Sequence, residues 1–153
     1  MKKIIIGAAI AAILTTGFAF AAGHGAAIDA RKAAMKEVGG AMGAMGAMAK
    51  GEAPFDAAVV LASLEKMNTV TKTFADYFPA GSETGMASDG KETTVSPKIW
   101  EDMDGFKAAL AKLETDTAAA MATAPQSVEE LGAVLGAVGG NCKACHETFR
   151  IQK

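Results

Sequence analysis

The sequence predicts an all-α fold, an antiparallel four-helix bundle, on three observations. Four segments carry apolar residues at spacings of three and four, and none shows the sustained alternation of a strand. The links between the first and second segments and between the third and fourth are short, which makes the helices they join antiparallel neighbours. A longer loop over 79–96, rich in Gly, Ser, Thr and Asp, separates the second from the third.

The first helix is expected over about 28–49, where Ile28, Met35, Val38, Met42 and Met45 line one face. The second is expected to start around Pro54, a good first-turn residue, and to end before Pro79. Its stripe is Val60, Leu64, Met67, Phe74 and Phe78. Ser96-Pro97 opens the third, which carries Trp100, Met103, Phe106, Leu110, Leu113 and Met121 and is closed by Pro125. The fourth begins near Ser127, whose hydroxyl three residues before Glu130 reads as a capping box. Val128, Leu131, Leu135, Val138, Cys142, Cys145 and Phe149 then form one seam, which puts Cys142, Cys145 and His146 on or beside the face that turns to the core.

Within the first helix, 39–48 alternates Gly, Ala and Met. A glycine costs a helix about 0.5–1 kcal/mol against alanine. Gly39, Gly40, Gly43 and Gly46 therefore call for a close helix–helix contact, within the bundle or across a dimer interface, or else for a loosely ordered helix end. Met42, Met45 and Met48 could hold Cu(I) through their thioethers. Methionine is ordinary adaptable core filler, and core or dimer packing is the expected role, as it is for Trp100, Phe74 and Phe78.

Residues 1–21 read as a secretory signal and 22–153 as the domain. Lys2 and Lys3 precede an apolar run from Ile4 to Leu14, and Ala19-Phe20-Ala21 has the small-x-small form that signal peptidases cut after. Thr15, Thr16 and Gly17 break the run short of the about 20 apolar residues a membrane span needs. Processing leaves 132 residues, enough for one core, with 13 basic against 17 acidic side chains. That balance argues against nucleic acid as a partner. Export to the periplasm is the expected destination, with no membrane span after processing.

Export would normally make two cysteines a disulfide candidate. Here Cys142-Lys143-Ala144-Cys145-His146 is the pattern of c-type haem attachment. Thiols three apart on one helical turn reach two porphyrin vinyl groups as thioethers, and the next residue offers a neutral imidazole to the iron. The competing readings are weaker. A disulfide across so short a helical loop is strained, a thioredoxin-like dithiol needs a strand–helix setting, and zinc wants four ligands. The other histidine, His24, is expected at a frayed mature N-terminus.

The run Cys142-Lys143-Ala144-Cys145-His146-Glu147-Thr148-Phe149-Arg150 at the end of an all-helical chain resembles the class II cytochromes c, the cytochrome c′ family. The resemblance extends through Ala30-Arg31-Lys32, Gly51-Glu52-Ala53, Phe78-Pro79-Ala80-Gly81 and Pro97-Lys98-Ile99-Trp100. It implies one covalent haem c, with His146 as the axial ligand and Arg150 beside the proximal face. It also implies Arg31 near a haem propionate, a sensible pairing for an arginine at a haem crevice. Arg31 as a solvated surface charge and Arg150 as a complement to the helix dipole stand as the simpler readings.

The resemblance places Met35, four residues after Arg31, toward the sixth position of the iron. Members with a bulky apolar residue there keep five-coordinate iron and admit NO or CO. A low-spin branch uses a methionine thioether, and His/Met ligation raises the potential and suits electron transfer. Met35 fits both, as ligand or as pocket wall. The implied function is electron carriage with unidentified redox partner proteins, with gas binding as the alternative and a dithiol oxidoreductase as a remote one. No carboxylate pair, nucleophile with base or phosphate loop suggests an enzyme.

Overall fold

A computed structural model describes residues 17–152, with side chains from His24 onward. Of the expected signal, residues 1–16 lie outside the described residues. Four long helices form the bundle: α1 (Gly17–Ala49), α2 (Ala57–Phe74), α4 (Met103–Thr123) and α5 (Val128–Phe149). A 3-10 turn (Ala75–Tyr77) extends α2, and a short α3 (Lys98–Glu101) precedes α4. Neighbouring helices pack in the order α1, α2, α4, α5 and back to α1. The wall between α1 and α5 is the least extensively packed of the four. No described helix is long and apolar enough to cross a membrane.

The helix ends follow local chemistry, and three differ from expectation. α1 begins well before Ile28, and Gly17 to Ala49 runs unbroken through the glycine segment. α2 starts after Asp56 rather than at Pro54, because the Asp56 carboxylate accepts from the Ala58 and Val59 N–H groups at 2.8 and 3.2 Å. The expected third helix is two, since the backbone turns at Asp102, whose carboxylate accepts from the Gly105 N–H at 3.0 Å and caps α4. At α5 the cap is as expected: Ser127 Oγ accepts from the Glu130 N–H at 3.2 Å. The Glu130 carboxylate, however, reaches back one residue further and accepts from the Gln126 N–H at 2.6 Å.

Two apolar clusters fill the bundle. In one, Val38, Met45, Leu64, Met67, Leu131 and Val138 interdigitate. Fully burying side chains such as Leu64 or Met67 contributes about 1.5–3 kcal/mol each. Met45 and Met48 belong to this cluster and Met42 packs against it, so the methionine run is core. The four glycines beside them face away from the interior: a β-carbon at Gly39, Gly40, Gly43 or Gly46 would meet nothing within 4 Å. A close contact inside the bundle is therefore not their reason.

The second cluster is aromatic. Phe74, Phe78, Phe106 and Phe149 meet edge to face or tilted, with centroid separations from 4.9 to 6.2 Å. Polar ties fix the register around both clusters. Buried Asn68 on α2 donates to the Glu114 carbonyl at 2.9 Å and to Thr117 Oγ1 at 3.1 Å on α4. The end of α5 is bound to the long loop, with the Ser96 N–H donating to the Phe149 carbonyl and the Ile151 N–H to that of Thr94, each at 2.9 Å.

Candidate haem site

The α5 seam presents the candidate attachment residues much as its periodicity implies. Leu131, Val138 and Phe149 are buried, Leu135, Cys142 and Cys145 half-buried, and Val128 at the first turn is exposed. Cys142 and Cys145 are unbridged thiols one turn apart on one helical face. Cys145 packs against the aromatic cluster, and so does Met35 of α1. Residues 110 apart in sequence thus meet one cluster, beside the loosest wall of the bundle.

Burial pushes both thiols up. Cys145 reaches about 11, first through desolvation and then through neighbouring Cys142, and Cys142 rises for the same first reason. Reactive dithiols have lowered values, since the thiolate is the nucleophile. The shift therefore runs against an oxidoreductase role. Among the described residues no three His, Cys, Asp or Glu side chains converge as a bare metal-ion site.

His146 lies at the surface of α5 next to Cys145. Partial desolvation lowers its pKa first, and the Arg150 charge adds to the effect. Both favour the neutral imidazole that a metal requires. The Arg150 N–H closes the helix on the His146 carbonyl at 3.3 Å, and the Gln152 amide donates to the same oxygen at 2.9 Å. Arg150 thus stands where α5 ends, its charge acting on the ring.

Arg31 is not the solvated charge of the simpler reading: it is 3 % exposed. Its Nε donates to the Tyr77 carbonyl at 2.6 Å, Nη1 to the Ser82 carbonyl at 3.0 Å, and Nη2 to Ser82 Oγ. Its guanidinium carbon sits 4.3 Å from the Phe78 ring centre and 5.3 Å from that of Trp100. Burial pulls it down to about 10, with Glu83 acting the other way, so it keeps its charge at neutral pH. None of the ion pairs among the described residues involves it. A buried cation with no ion pair and only the weaker pull of Glu83 is costly, so this donor set fits a carboxylate-bearing group. Sequence reasoning read Phe78 and Trp100 as packing alone and missed Ser82 and the Tyr77 carbonyl. The quoted run Phe78-Pro79-Ala80-Gly81, adjoining both, was the available signal.

A family model described as cytochrome c′ matches residues 26–150. A cytochrome c-556 of Agrobacterium fabrum is 41% identical over 151 residues, covering 99% of this chain and 97% of its own. A cytochrome c′ of Rhodopseudomonas palustris is 41% identical over 146 residues, covering 95% and 96%. A solved structure of cytochrome c′ from Rhodopseudomonas palustris superposes with a TM-score of 0.76 at 42% identity, over 83% of this chain and 97% of that one.

Proposed function

The chain belongs to the cytochrome c′ family, and on that premise we propose that it is a periplasmic electron carrier with one covalently attached haem c. The observation that carries this reading is the display of Cys142, Cys145 and His146 on one turn of α5, with Cys145 against the cluster that Met35 also touches. The haem supplies an Fe(III)/Fe(II) couple when bound. Cys142 and Cys145 hold it through thioethers, so it is not lost by dilution outside the cytoplasm. His146 would supply an imidazole to the iron, and its surroundings lower its pKa toward the neutral form that binding needs. Met35, packed against the same cluster as Cys145, would offer its thioether to the iron as a second protein ligand.

Arg31 takes a propionate. Three of its five N–H donors are already used inside the fold, and two remain for a carboxylate. Arg150 stands beside His146, and its charge favours the neutral imidazole there. These groups bind, orient and tune; none transforms a substrate, so the protein acts as a carrier rather than an enzyme.

Residues 1–21 direct export and are removed, leaving residues 22–153 as the domain. Its partners are redox proteins, met through a mildly acidic surface, and nucleic acid is not among them. A second copy of the chain fits the outer face of α1 and α2. There Gly39, Gly40 and Gly43 leave the α1 backbone open, and Val59 of α2, beside Gly40, is 38 % exposed.

The test is to express the chain in a host that matures c-type cytochromes and to measure intact mass and ferric and ferrous optical and EPR spectra, with and without CO. One haem of added mass and a low-spin spectrum without CO uptake support the proposal. A high-spin spectrum with ready CO or NO binding would make the protein a gas binder instead. A colourless product with the mass of the bare processed polypeptide rules out both.

A further inference from the structure

Directly after Ala19-Phe20-Ala21 come Ala22, Gly23 and His24. We infer that the processed chain binds one Cu(II) or Ni(II) ion at its amino terminus, separate from the haem. Four nitrogens make the site: the α-amino group of Ala22, the main-chain nitrogens of Gly23 and His24, and Nδ1 of the His24 imidazole. The inference rests on cleavage after Ala21 proposed above, because before cleavage the Ala22 nitrogen is an amide.

A histidine third from a free amino terminus closes two chelate rings along the main chain and a third, one atom larger, through its imidazole. The four nitrogens then lie in a plane, the arrangement that Cu(II) and Ni(II) prefer. Three of the four donors are main-chain nitrogens, so the site needs no cluster of acidic or sulfur side chains. Binding releases the two amide protons, together with the ammonium proton in molecules that still carry it. No electron moves, and the metal stays divalent.

The fold favours this end of α1 for that role. Cleavage after Ala21 makes Ala22 the new helix end, and the first four N–H groups of a helix have no intrahelical acceptor. The Gly23 and His24 nitrogens are therefore released from helix bonding by the same event that creates the amine. Gly23 and Gly25 flank His24, and each weakens a helix by about 1 kcal/mol relative to alanine. One turn can unwind into the flat chelate at small cost.

The His24 side chain is already positioned. It is half-buried, with the Cε1–Nε2 edge of its ring over Gly81, where a β-carbon would lie 3.1 and 3.2 Å from those two atoms. A ring resting on that edge keeps Nδ1 as the nitrogen nearer its own main chain, the one the chelate uses. The Gly81 N–H donates to the Glu83 carboxylate at 3.1 Å, which brings an acidic group, electrostatically coupled to His24, to the same corner.

The test uses haem-loaded protein isolated from the periplasm. Its N-terminus is first identified by mass spectrometry, and it is then titrated with Cu(II) by calorimetry and EPR. The expected result is an N-terminal Ala22, one Cu(II) per chain, and a square-planar copper signal with nitrogen hyperfine structure beside the iron signals. His24→Ala lowers the affinity by about 100-fold or more. Inserting one alanine between Gly23 and His24 keeps every side chain but moves the imidazole out of reach, and has the same effect. The Soret band of both variants is unchanged, separating this site from the haem. An N-terminal Ala22 without copper binding, or with binding that survives both changes, overturns the chelate and leaves the processing intact. A mature chain that starts elsewhere overturns both, and the mass alone reads that outcome.

Discussion

The guanidinium carbon of Arg31 lies 4.3 Å from the centre of the Phe78 ring, joining the first helix to the residue that follows the α2 extension. The same group holds the Tyr77 and Ser82 carbonyls, so one side chain fixes helix, loop and aromatic cluster together. Arg31→Leu fills the volume but strands those buried acceptors. It should destabilise the haem-loaded protein by about 2–4 kcal/mol in urea unfolding. Arg31→Lys should recover little, because an ammonium cannot span both carbonyls as the planar fork does. A nearly neutral Arg31→Leu would show that the buried cation contributes nothing net.

The outward glycines of α1 give a prediction of opposite sign. Gly39→Ala and Gly43→Ala each add a methyl group into open space. Each should raise the stability of the isolated monomer by about 0.5–1 kcal/mol. If the face also seats a second copy, Gly43→Glu weakens self-association in sedimentation without unfolding the monomer.

What the sequence made legible was local. The α5 seam and its cap were readable because cap and periodicity sit within one stretch of chain, the stretch that also carries the Cys142, Cys145 and His146 motif. The α1, α2 and α4 core faces were readable for the same reason. Asp102 was not recognised as a break, since an aspartate after Trp100 and Glu101 fits a helix surface as well as a cap. Pro54 is a plausible helix start by residue type, and only the backbone shows that Asp56, two residues on, is the one that caps. The environment of Arg31 was hidden most deeply. Its partners lie 46 and 51 residues away, and no periodicity carries that distance.

Asp116 makes the α4–α5 packing sensitive to acid. It accepts from Lys112 Nζ at 2.6 Å and from Asn141 Nδ2 at 2.7 Å, and these bonds, the lysine first, hold its carboxyl below the ordinary 3.8. A carboxylate with a lowered folded value contributes stability that is complete above its unfolded value and is lost as pH falls through the folded one. Asp116→Ala should therefore lower Tm relative to wild type at pH 6. The gap between the two should close as pH drops below about 3.8. A gap that persists in strong acid would assign the effect to packing rather than charge.

Ala124 ends α4 at φ 45°, ψ 73°, the left-handed region, ahead of Pro125. Holding alanine there costs about 1–2 kcal/mol, and glycine would relieve it while losing part of the gain to its freer unfolded chain. Ala124→Gly should raise stability by about 0.5–1 kcal/mol, read as a higher urea midpoint at unchanged slope.

Met35 can be tested by a change that keeps its size and removes its sulfur. It is half-buried and packs against both apolar clusters, so a truncation would mix lost packing with lost ligation. Leucine has nearly the same volume, and such swaps cost less than about 1.5 kcal/mol. If the thioether is the sixth ligand, Met35→Leu leaves the fold intact but converts the ferric spectrum from low to high spin. The ferrous protein then takes up CO, and the reduction potential falls because His/Met ligation is lost. If Met35 only lines the pocket, Met35→Leu is almost silent in all three measurements. The spectrum of this one variant therefore decides between an electron carrier with a closed iron and a gas binder with an open one.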